Sequence, residues 1–225
     1  MSGLAARNGT LLALDTATSR VVVALGGFDG TLEGAAAWPA GYRHGESLLP
    51  AIEQLLAPAG GRTAIGAVVV GTGPGAFTGL RVGIATAKGL AHGLDCPIVG
   101  VPSGVALLSA VPGPCALLLP AGPADRVLVR AGEASLLLPG GTEPELRSGE
   151  QLVAVDLDGR APEAALERGR IAHDGLAAAL LRLGAERLAA ESSGDDLEAL
   201  VPDYVTLPRG VTATSGEVAW SHDLR

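Results

Sequence analysis

The sequence predicts an α/β protein of two lobes, in which the second lobe is a weaker copy of the first. Between residues 11 and 110, short apolar runs alternate with apolar stripes at helical spacing, in the order β-β-β-α-β-α-β-α. After residue 111, three short strands and one clear helix repeat part of this order. The order is that of a ribonuclease H-like lobe, which actin-like ATPases contain twice, and a shared fold alone fixes no activity. We therefore predict lobes at residues 1–110 and 111–225.

The first lobe begins with three strands that we expect to pair antiparallel. Apolar residues fill positions 11–14 and 21–25, and a weaker third strand covers 31–38. A helix is predicted over 42–57, because apolar side chains recur there at helical spacing. These are Leu48, Leu49, Ile52, Leu55 and Leu56. Pro50 must lie in the first turn of this helix or just after it, since a proline further inside would kink the helix.

A glycine-rich turn joins the central strand, at residues 68–70, to the longest helix of this lobe, at residues 77–93. The turn contains Gly71, Gly73, Pro74 and Gly75. Small residues then recur every four positions along one helical face, at Gly79, Gly83, Ala87 and Ala91. A glycine inside a helix costs roughly 0.5 to 1 kcal/mol relative to alanine, so such a face normally serves the close approach of another backbone. That backbone is either the chain's own sheet or a partner helix.

The remaining elements are predicted with less pattern to support them. A fifth strand covers 97–101 and a short helix covers 103–110. In the second lobe we expect strands at 115–119, 126–131 and 134–138, a loop at 139–150 and a helix at 172–190. The tail from Pro202 is expected to be mostly extended.

Composition excludes several classes of protein. The 225 residues are 48% hydrophobic with a mean hydropathy of +0.36, enough for a sizeable core, yet no apolar run is long enough to span a membrane. The first ten residues lack the layout of a signal peptide, so we expect a cytoplasmic protein. Cys96 and Cys115 have no metal-type spacing and are expected to be inert thiols. A net charge of −8 with a single lysine offers no basic stripe for direct binding of nucleic acid.

One candidate site lies at the two polar turns of the first lobe. Asp15 and Thr16 end the first strand, and the turn 16–20 adds further hydroxyl groups. This turn is either a plain side-chain-capped turn or a vestigial phosphate or ion site, completed by the glycine turn. The residues of the second reading are Asp15, Thr16, Gly71, Gly73, Gly75 and Thr78. There is no Gly-Lys-Ser/Thr sequence, so a P-loop is excluded.

Three segments of the first lobe resemble the TsaB (YeaZ) family. They are LLALDTATS from Leu11, RHGESLLPAIEQLL from Arg43, and the run GTGPGAFTGLR from Gly71 to Arg81, which is highly specific. The resemblance covers residues 11–103 closely and is thin in the second lobe. There the family usually has Asp-Ala-Arg, whereas this chain has Pro120, Ala121 and Gly122. Only residues 202–204 match the usual C-terminal strand.

The resemblance implies a non-catalytic scaffold subunit of the machinery that makes threonylcarbamoyladenosine at position 37 of tRNA. It implies a heterodimer with the catalytic TsaD, the TsaE ATPase as third component, a homodimer when the chain is alone, and tRNA contact only through the complex. The implied partner interface lies on the two helices of the first lobe. Its residues are His44, Glu46, Leu48, Leu49, Ile52, Leu56, Gly79, Gly83 and Ala87.

We expect no catalytic residue, no metal and no cofactor, with a nucleotide, if any, at an interface with a partner. In the similar TsaD, the short helix after the fifth strand carries two metal-binding histidines. The equivalent stretch here, residues 101–107, contains no imidazole, carboxylate or thiol. The alternative is a weak actin-like ATPase that holds phosphates at Asp15, Thr16 and the glycine turn. The apparent lack of a carboxylate in the second lobe argues against it.

Overall fold

The computed structural model describes residues 9–40, 44–204, 211–214 and 217–220. The first sheet contains β1 (Thr10–Asp15), β2 (Arg20–Gly26), β3 (Leu32–Pro39), β4 (Ile65–Gly71) and β5 (Ile98–Val101). Its strand order is β3-β2-β1-β4-β5. The strands β1, β2 and β3 pair antiparallel, and β4 is parallel to both β1 and β5. Every strand predicted for the first lobe is therefore present.

Helices cover both faces of this sheet. On one face, α1 (His44–Leu56) and α2 (Phe77–Leu94) pack against alternate residues of β1 and β4, such as Leu12 and Val68. The intervening residues, such as Ala13 and Val69, face the opposite side, where α3 (Ser103–Ser109) and the second lobe pack. Because β1 and β4 are buried on both faces, they are apolar throughout. Pro50 lies in the second turn of α1, just after the first turn.

The second sheet repeats the topology of the first in a shorter form. It contains β6 (Cys115–Pro120), β7 (Arg126–Val129), β8 (Leu136–Leu138) and β9 (Gln151–Ala154), in the order β8-β7-β6-β9. β6, β7 and β8 pair antiparallel, while β9 is parallel to β6, as β4 is to β1. This confirms the predicted fold of two related lobes. The sequence analysis missed β9, which has only four residues and follows a long loop.

The last long helix, α4 (Glu163–Ala190), joins the two lobes. It begins nine residues before its predicted start, because the charged run around Gly169 hides the apolar pattern. Gly169 lies so close to β9 that an added Cβ would be 1.9 Å from the Ala154 carbonyl oxygen. Further along, Gly184 packs on Val69 of the first sheet. One hydrophobic core thus contains residues of both sheets and of α4. The division into lobes at residue 110 stays a prediction.

The chain after α4 returns along the edge of the first sheet. The Asp195 N–H donates to the Ile98 carbonyl oxygen at 2.7 Å, and the Asp203 N–H donates to the Thr72 carbonyl oxygen at 2.8 Å. Leu200 is buried between these two points. The segment therefore covers β5, whose edge would otherwise expose unpaired backbone groups. Beyond it, β10 (Val211–Thr214) and β11 (Glu217–Trp220) pair antiparallel, in agreement with the predicted extended tail. In the part of the chain that the structure describes, no helix could cross a membrane.

Ion pairs hold the long loop of the second lobe, residues 139–150. Arg130, which directly follows β7, binds both carboxylate oxygens of Glu150, at 2.8 and 2.9 Å. The Arg130 side chain is only 14% exposed and that of Glu150 only 6%. A second bidentate pair joins Arg147 to Glu133. The hydrogen bond from Arg130 lowers the pKa of Glu150 to about 2, well below its ordinary value of 4.5.

This pair makes part of the stability depend on pH. Since the folded-state pKa of Glu150 is lowered, its contribution is complete above pH 4.5 and is lost as the pH falls toward 2. We expect Glu150→Gln to melt at a lower temperature than the wild type at pH 7, with a difference that shrinks steadily between pH 4.5 and 2.5. Thermal unfolding followed by circular dichroism measures this difference. A difference that stays constant over that range would contradict the assigned pairing.

Candidate functional site

The turn between β1 and β2 fills the space beside the glycine turn. A Cβ atom on Gly71 would lie 1.8 Å from Asp15 Oδ2, and one on Gly75 would lie 2.1 Å from the Ala17 carbonyl oxygen. The Ala76 N–H donates to that same carbonyl at 2.7 Å. Real Cβ contacts are never this short, so glycine is required at both positions. The two polar turns predicted from the sequence do lie together, but they are packed directly on each other.

Asp15 is fully buried and its carboxyl group is satisfied within the chain. The Ala17 N–H donates to Asp15 Oδ1 at 2.8 Å, and the Ser103 hydroxyl donates to Asp15 Oδ2 at 2.5 Å. The Ser103 oxygen in turn accepts a hydrogen bond from the Gly73 N–H at 3.0 Å. Burial raises the pKa of Asp15, and the bonds from Ser103 and Ala17 oppose that rise. The carboxyl group links β1, the glycine turn and α3, and neither oxygen faces solvent.

Thr16 is likewise turned toward the chain itself. Its hydroxyl donates to the Gly79 carbonyl oxygen of α2 at 2.7 Å, and its side chain is 1% exposed. Of the predicted phosphate site, only Thr78 is exposed to solvent. We therefore correct the second reading of this turn: Asp15, Thr16 and the glycines form a packed joint in which both polar side chains are buried and bonded within the chain, and of these residues only Gly75 borders an open cleft. The plain capped turn is the reading that the geometry supports. Ser103, which the sequence analysis did not select, is the residue that completes this joint.

The stripe of small residues on α2 also faces inward. Added Cβ atoms on Gly79 and Gly83 would lie 2.1 Å from the Thr16 carbonyl oxygen and 2.2 Å from Thr16 Oγ1. Ala87 is completely buried against the first sheet. The close approach that the stripe indicated is therefore with the chain's own β1–β2 turn. The prediction that Gly79, Gly83 and Ala87 contact a partner helix is wrong, because that side of α2 is already occupied.

The predicted interface residues of α1 divide in the same way. Leu48, Ile52 and Leu56 are at most 1% exposed and belong to the core of the first lobe, so they too are unavailable to a partner. Leu49, by contrast, is 49% exposed. His44 lies in the first turn of α1 together with Glu46, and the side chains of both lie outside the described residues.

The outward surface of the two helices is made of different residues. α1 and α2 contact each other on one face of the sheet. On α2, Ala85 and Gly89 are exposed, and a Cβ atom on Gly89 would meet nothing within 4 Å. Val82 lies one turn before them and is half-buried against the core. We call Leu49, Val82, Ala85 and Gly89 the outer helix surface. It is apolar and made mainly of short side chains, as a helix-packing surface requires.

Two residues of the specific glycine-turn run hold the C-terminal segment. The rings of Phe77 and Tyr204 are 5.0 Å apart, and the Arg81 guanidinium lies 3.8 Å from the centre of the Phe77 ring. Arg81 Nε also donates to the Tyr204 hydroxyl at 2.9 Å. Aromatic packing and a cation–π contact thus hold Tyr204 against the beginning of α2. The sequence analysis saw Tyr204 only as part of a matching strand.

A cleft of about 360 Å³ separates the two lobes beside the glycine turn. Its walls include Gly75 and Phe77 from the first lobe and Ala121 and Asp156 from the second. No lysine, arginine or histidine is among the described residues that line it. The expected lack of a second-lobe carboxylate is wrong, because Asp156, after β9, supplies one. Among the residues that the structure describes, no group of three or more His, Cys, Asp or Glu side chains could hold a metal ion.

The fold and the glycine turn define the class of protein first: an actin-like α/β protein with two ribonuclease H-like lobes. The family model described as "TsaD: tRNA N6-adenosine threonylcarbamoyltransferase" matches residues 39–154, just over half of the chain. The chain belongs to this family.

Individual relatives agree with this assignment. The TsaB protein of Escherichia coli, named for tRNA threonylcarbamoyladenosine biosynthesis, is 42% identical over 92 residues, which are 40% of this chain and 39% of the relative. The corresponding protein of Haemophilus influenzae is 39% identical over 107 residues, which are 46% of this chain and 44% of the relative. The chain thus matches about two fifths of the length of these curated relatives. The structure of YeaZ from Pseudomonas aeruginosa is similar with a TM-score of 0.67 and 25% identity, over 88% of this chain and all of that one. The resemblance to TsaB (YeaZ) is confirmed.

The inward stripe leads to a prediction about stability. Gly83→Leu places a branched side chain where Thr16 already lies, and overpacking of a core costs about 1 to 3 kcal/mol. We expect the melting temperature to fall by about 2 to 12 °C. Gly89→Leu, six residues further along the same helix but facing open space, should melt within about 2 °C of the wild type or higher. Thermal unfolding of the two variants tests this, and equal melting temperatures for both would refute the inward assignment.

Proposed function

We propose that this chain is a non-catalytic subunit that binds and activates a TsaD threonylcarbamoyltransferase in the cytoplasm. The reaction is the formation of N6-threonylcarbamoyladenosine at position 37 of tRNA. The observation that carries the proposal is the similarity to two TsaB proteins named for this biosynthesis, together with membership of the TsaD family. The matched regions cover only about two fifths of those relatives. The activity, substrate and partners of this chain are therefore proposals, which its own residues also support.

The residues at the position of a TsaD metal site support a non-catalytic role. Between Val101 and Leu107, the only polar side chain is Ser103, and its hydroxyl is bound to Asp15. A divalent cation needs several oxygen, nitrogen or sulfur ligands, which this stretch does not contain. The Asp15 and Thr16 side chains, to which the ATPase alternative assigns the phosphates, are buried and bonded within the chain. Both observations favour a scaffold over an enzyme.

The outer helix surface is the proposed contact with TsaD. Leu49, Ala85 and Gly89 form an apolar area on two adjacent helices, and a partner that presents two helices would complete a four-helix bundle over it. In the absence of TsaD, a second copy of this chain would occupy the same surface, so homodimer and heterodimer would compete. TsaE would join as a third component.

Charge supports an indirect role toward tRNA. The chain has a net charge of −8, and most of the described arginines on its surface are paired with carboxylates, as Arg147 is with Glu133 and Arg170 with Glu163. Few counterions would therefore be released on contact with phosphates, and affinity for tRNA would be small. We propose that tRNA reaches this chain only through the complex.

Gly89→Leu tests the proposed contact. Because the site faces open space, the substitution should leave the fold intact but hold two packed helices apart. We expect the variant to elute as a monomer and to lose at least about tenfold in affinity for TsaD, which corresponds to roughly 1.4 kcal/mol. Co-purification and analytical ultracentrifugation measure both.

Ala178→Leu is the matched control. Ala178 is exposed on α4, away from α1 and α2, and the substitution adds the same side chain to a helix surface. It should bind TsaD like the wild type. Undiminished binding of TsaD by a folded Gly89→Leu chain would rule out the outer helix surface as the contact.

A further inference from the structure

The outer edge of the second sheet is apolar and unpaired. β8 is the last strand of that sheet and, among the described residues, pairs only with β7. Its three residues are all leucines, and Leu136 and Leu137 are 53% and 41% exposed. Natural edge strands usually carry a charge or lie under another element, because an exposed apolar edge invites pairing with another chain. β8 carries no charge and exposes two of its three side chains.

An apolar groove lies beside this edge. Leu128 of β7 and Leu136 of β8 are directly opposite in the sheet, so their side chains share one face. Together with Leu138 and Leu146 they line a groove of about 480 Å³, which we call the leucine groove. Of the seven large apolar side chains that are exposed among the described residues, three belong to β8 or to this groove. Single exposed leucines are normal, but a cluster of them at a groove marks an interaction surface.

The wall of the leucine groove is fixed before any partner binds. This wall is part of the loop 139–150, whose ion pairs are described above. Arg130 also donates to the Glu145 carbonyl oxygen at 2.7 Å, and Arg126 donates to the Thr142 carbonyl oxygen. Binding would therefore not have to order this loop, which favours useful affinity over a small contact area.

The leucine groove carries an excess of negative charge. Both arginines that line it are already paired with carboxylates of the loop and of the segment after β7. Two further carboxylates, Glu143 and Glu145, line it as well. Glu143 is 82% exposed and reaches only Arg126, at 3.9 Å. Glu145 forms no ion pair with any described residue. The charge of these two side chains is thus open to a partner.

This charge determines which partner fits. A second copy of this chain, related by a two-fold axis, would bring its own Glu143 and Glu145 to the same place, where like charges repel. Nucleic acid would be repelled for the same reason. A segment with lysine or arginine is attracted, and its long side chains can lie along leucines while their charged ends reach the carboxylates. Because β8 has only three residues, backbone pairing alone would be weak, and the groove must supply much of the affinity.

We propose that the edge of β8 and the leucine groove bind an extended segment of a partner protein that carries apolar and basic side chains. The segment adds to the second sheet as a further strand beside β8. Its apolar side chains enter the leucine groove, and its basic side chains pair with Glu143 and Glu145. This surface shares no residue with the outer helix surface. Binding here is therefore independent of the proposed contact with TsaD, and the test uses this chain alone.

Two capped peptides test the chemistry of the partner. They are Gly-Lys-Val-Lys-Val-Lys-Gly and Gly-Glu-Val-Glu-Val-Glu-Gly, which share their valines and their preference for an extended backbone. In NMR titrations of the isolated chain at low ionic strength, we expect the basic peptide to shift the amides of residues 136–138 and 143–146 saturably. We expect the acidic peptide to bind at least about tenfold more weakly, because its charge is repelled. Equal affinities, or saturable shifts confined to other surfaces, would overturn the proposal.

Leu136→Ser tests the apolar part of the contact, and Leu32→Ser is its matched control. Leu136 and Leu32 are leucines of similar exposure, 53% and 46%, on the edge strands of the two sheets. Loss of the Leu136 side chain should weaken binding of the basic peptide at least about fivefold, since part of its apolar area is lost. Leu32→Ser should bind the peptide like the wild type. Equal affinity of the two variants would remove the leucine groove from the contact.

A pair of double variants tests the charged part and decides the matter should Leu136→Ser fail to fold. Glu143→Gln with Glu145→Gln should reduce the preference for the basic peptide to less than about threefold. Glu33→Gln with Asp158→Asn removes the same charge from exposed positions on β3 and after β9, and should keep the preference. The same loss in both double variants would show attraction to the net charge of the chain and would overturn the proposal.

Sedimentation shows whether a second copy occupies the edge instead. Gly89→Leu is the background for this measurement, because we expect it to be monomeric through loss of the outer helix surface. If Gly89→Leu still dimerises, and addition of Leu136→Ser makes it monomeric, a second copy binds at β8 and the proposed foreign partner is wrong. A Gly89→Leu chain that sediments as a monomer and binds the basic peptide like the wild type supports the proposal.

Discussion

The Asp15 carboxyl group lies where β1, the glycine turn and α3 meet, and it leaves no room for a side chain on Gly71. An unpaired carboxylate at such depth would cost several kcal/mol, so its hydrogen bonds to Ala17 and Ser103 are a condition for folding. Much of the first lobe follows from this contact. Ser103 begins α3 where it can reach Asp15, and the β1–β2 turn lies close enough to α2 to require Gly79 and Gly83.

Patterns in the sequence were sufficient to predict most of the helices and strands, but not all of the residues that these elements contact. The recurrence of Gly79, Gly83 and Ala87 correctly indicated a close backbone approach, because only that use offsets the cost of glycine in a helix. The identity of the approaching backbone is a property of the folded chain. Here the approaching backbone is that of Thr16, which lies 63 residues before Gly79 in the sequence. The same limit applies to Asp156, whose carboxylate accepts a hydrogen bond from Ser19, more than 130 residues earlier in the sequence.

Two elements were missed or shortened for local reasons. The strand β9 has four residues and a half-exposed beginning, which gives too little alternation to recognise. The first nine residues of α4 include a glycine between two arginines, which in the sequence suggests a break in the helix. In the structure, the absence of a Cβ atom on this glycine allows the helix to approach β9 closely. In the candidate site, Asp15, Thr16 and the three glycines do lie together, but periodicity cannot tell a packed joint from an open site.

The first lobe has an interior joint and an exterior surface. The joint is closed by the chain's own side chains, and the outer helix surface remains for a partner. The second lobe contributes α4 to the common core and the Asp156 carboxylate that Ser19 of the β1–β2 turn binds, although its sequence departs most from the TsaB pattern.

The closed joint is tested most directly by titrating Mg-ATP into the isolated chain while following the amide resonances of Gly71, Gly73 and Gly75. Because Asp15 and Ala17 fill the space beside Gly71 and Gly75, and the Gly73 N–H already donates to Ser103, we predict no saturable shift at millimolar nucleotide. A saturable shift of these three amides with one-to-one stoichiometry would contradict the account and would support the weak ATPase instead.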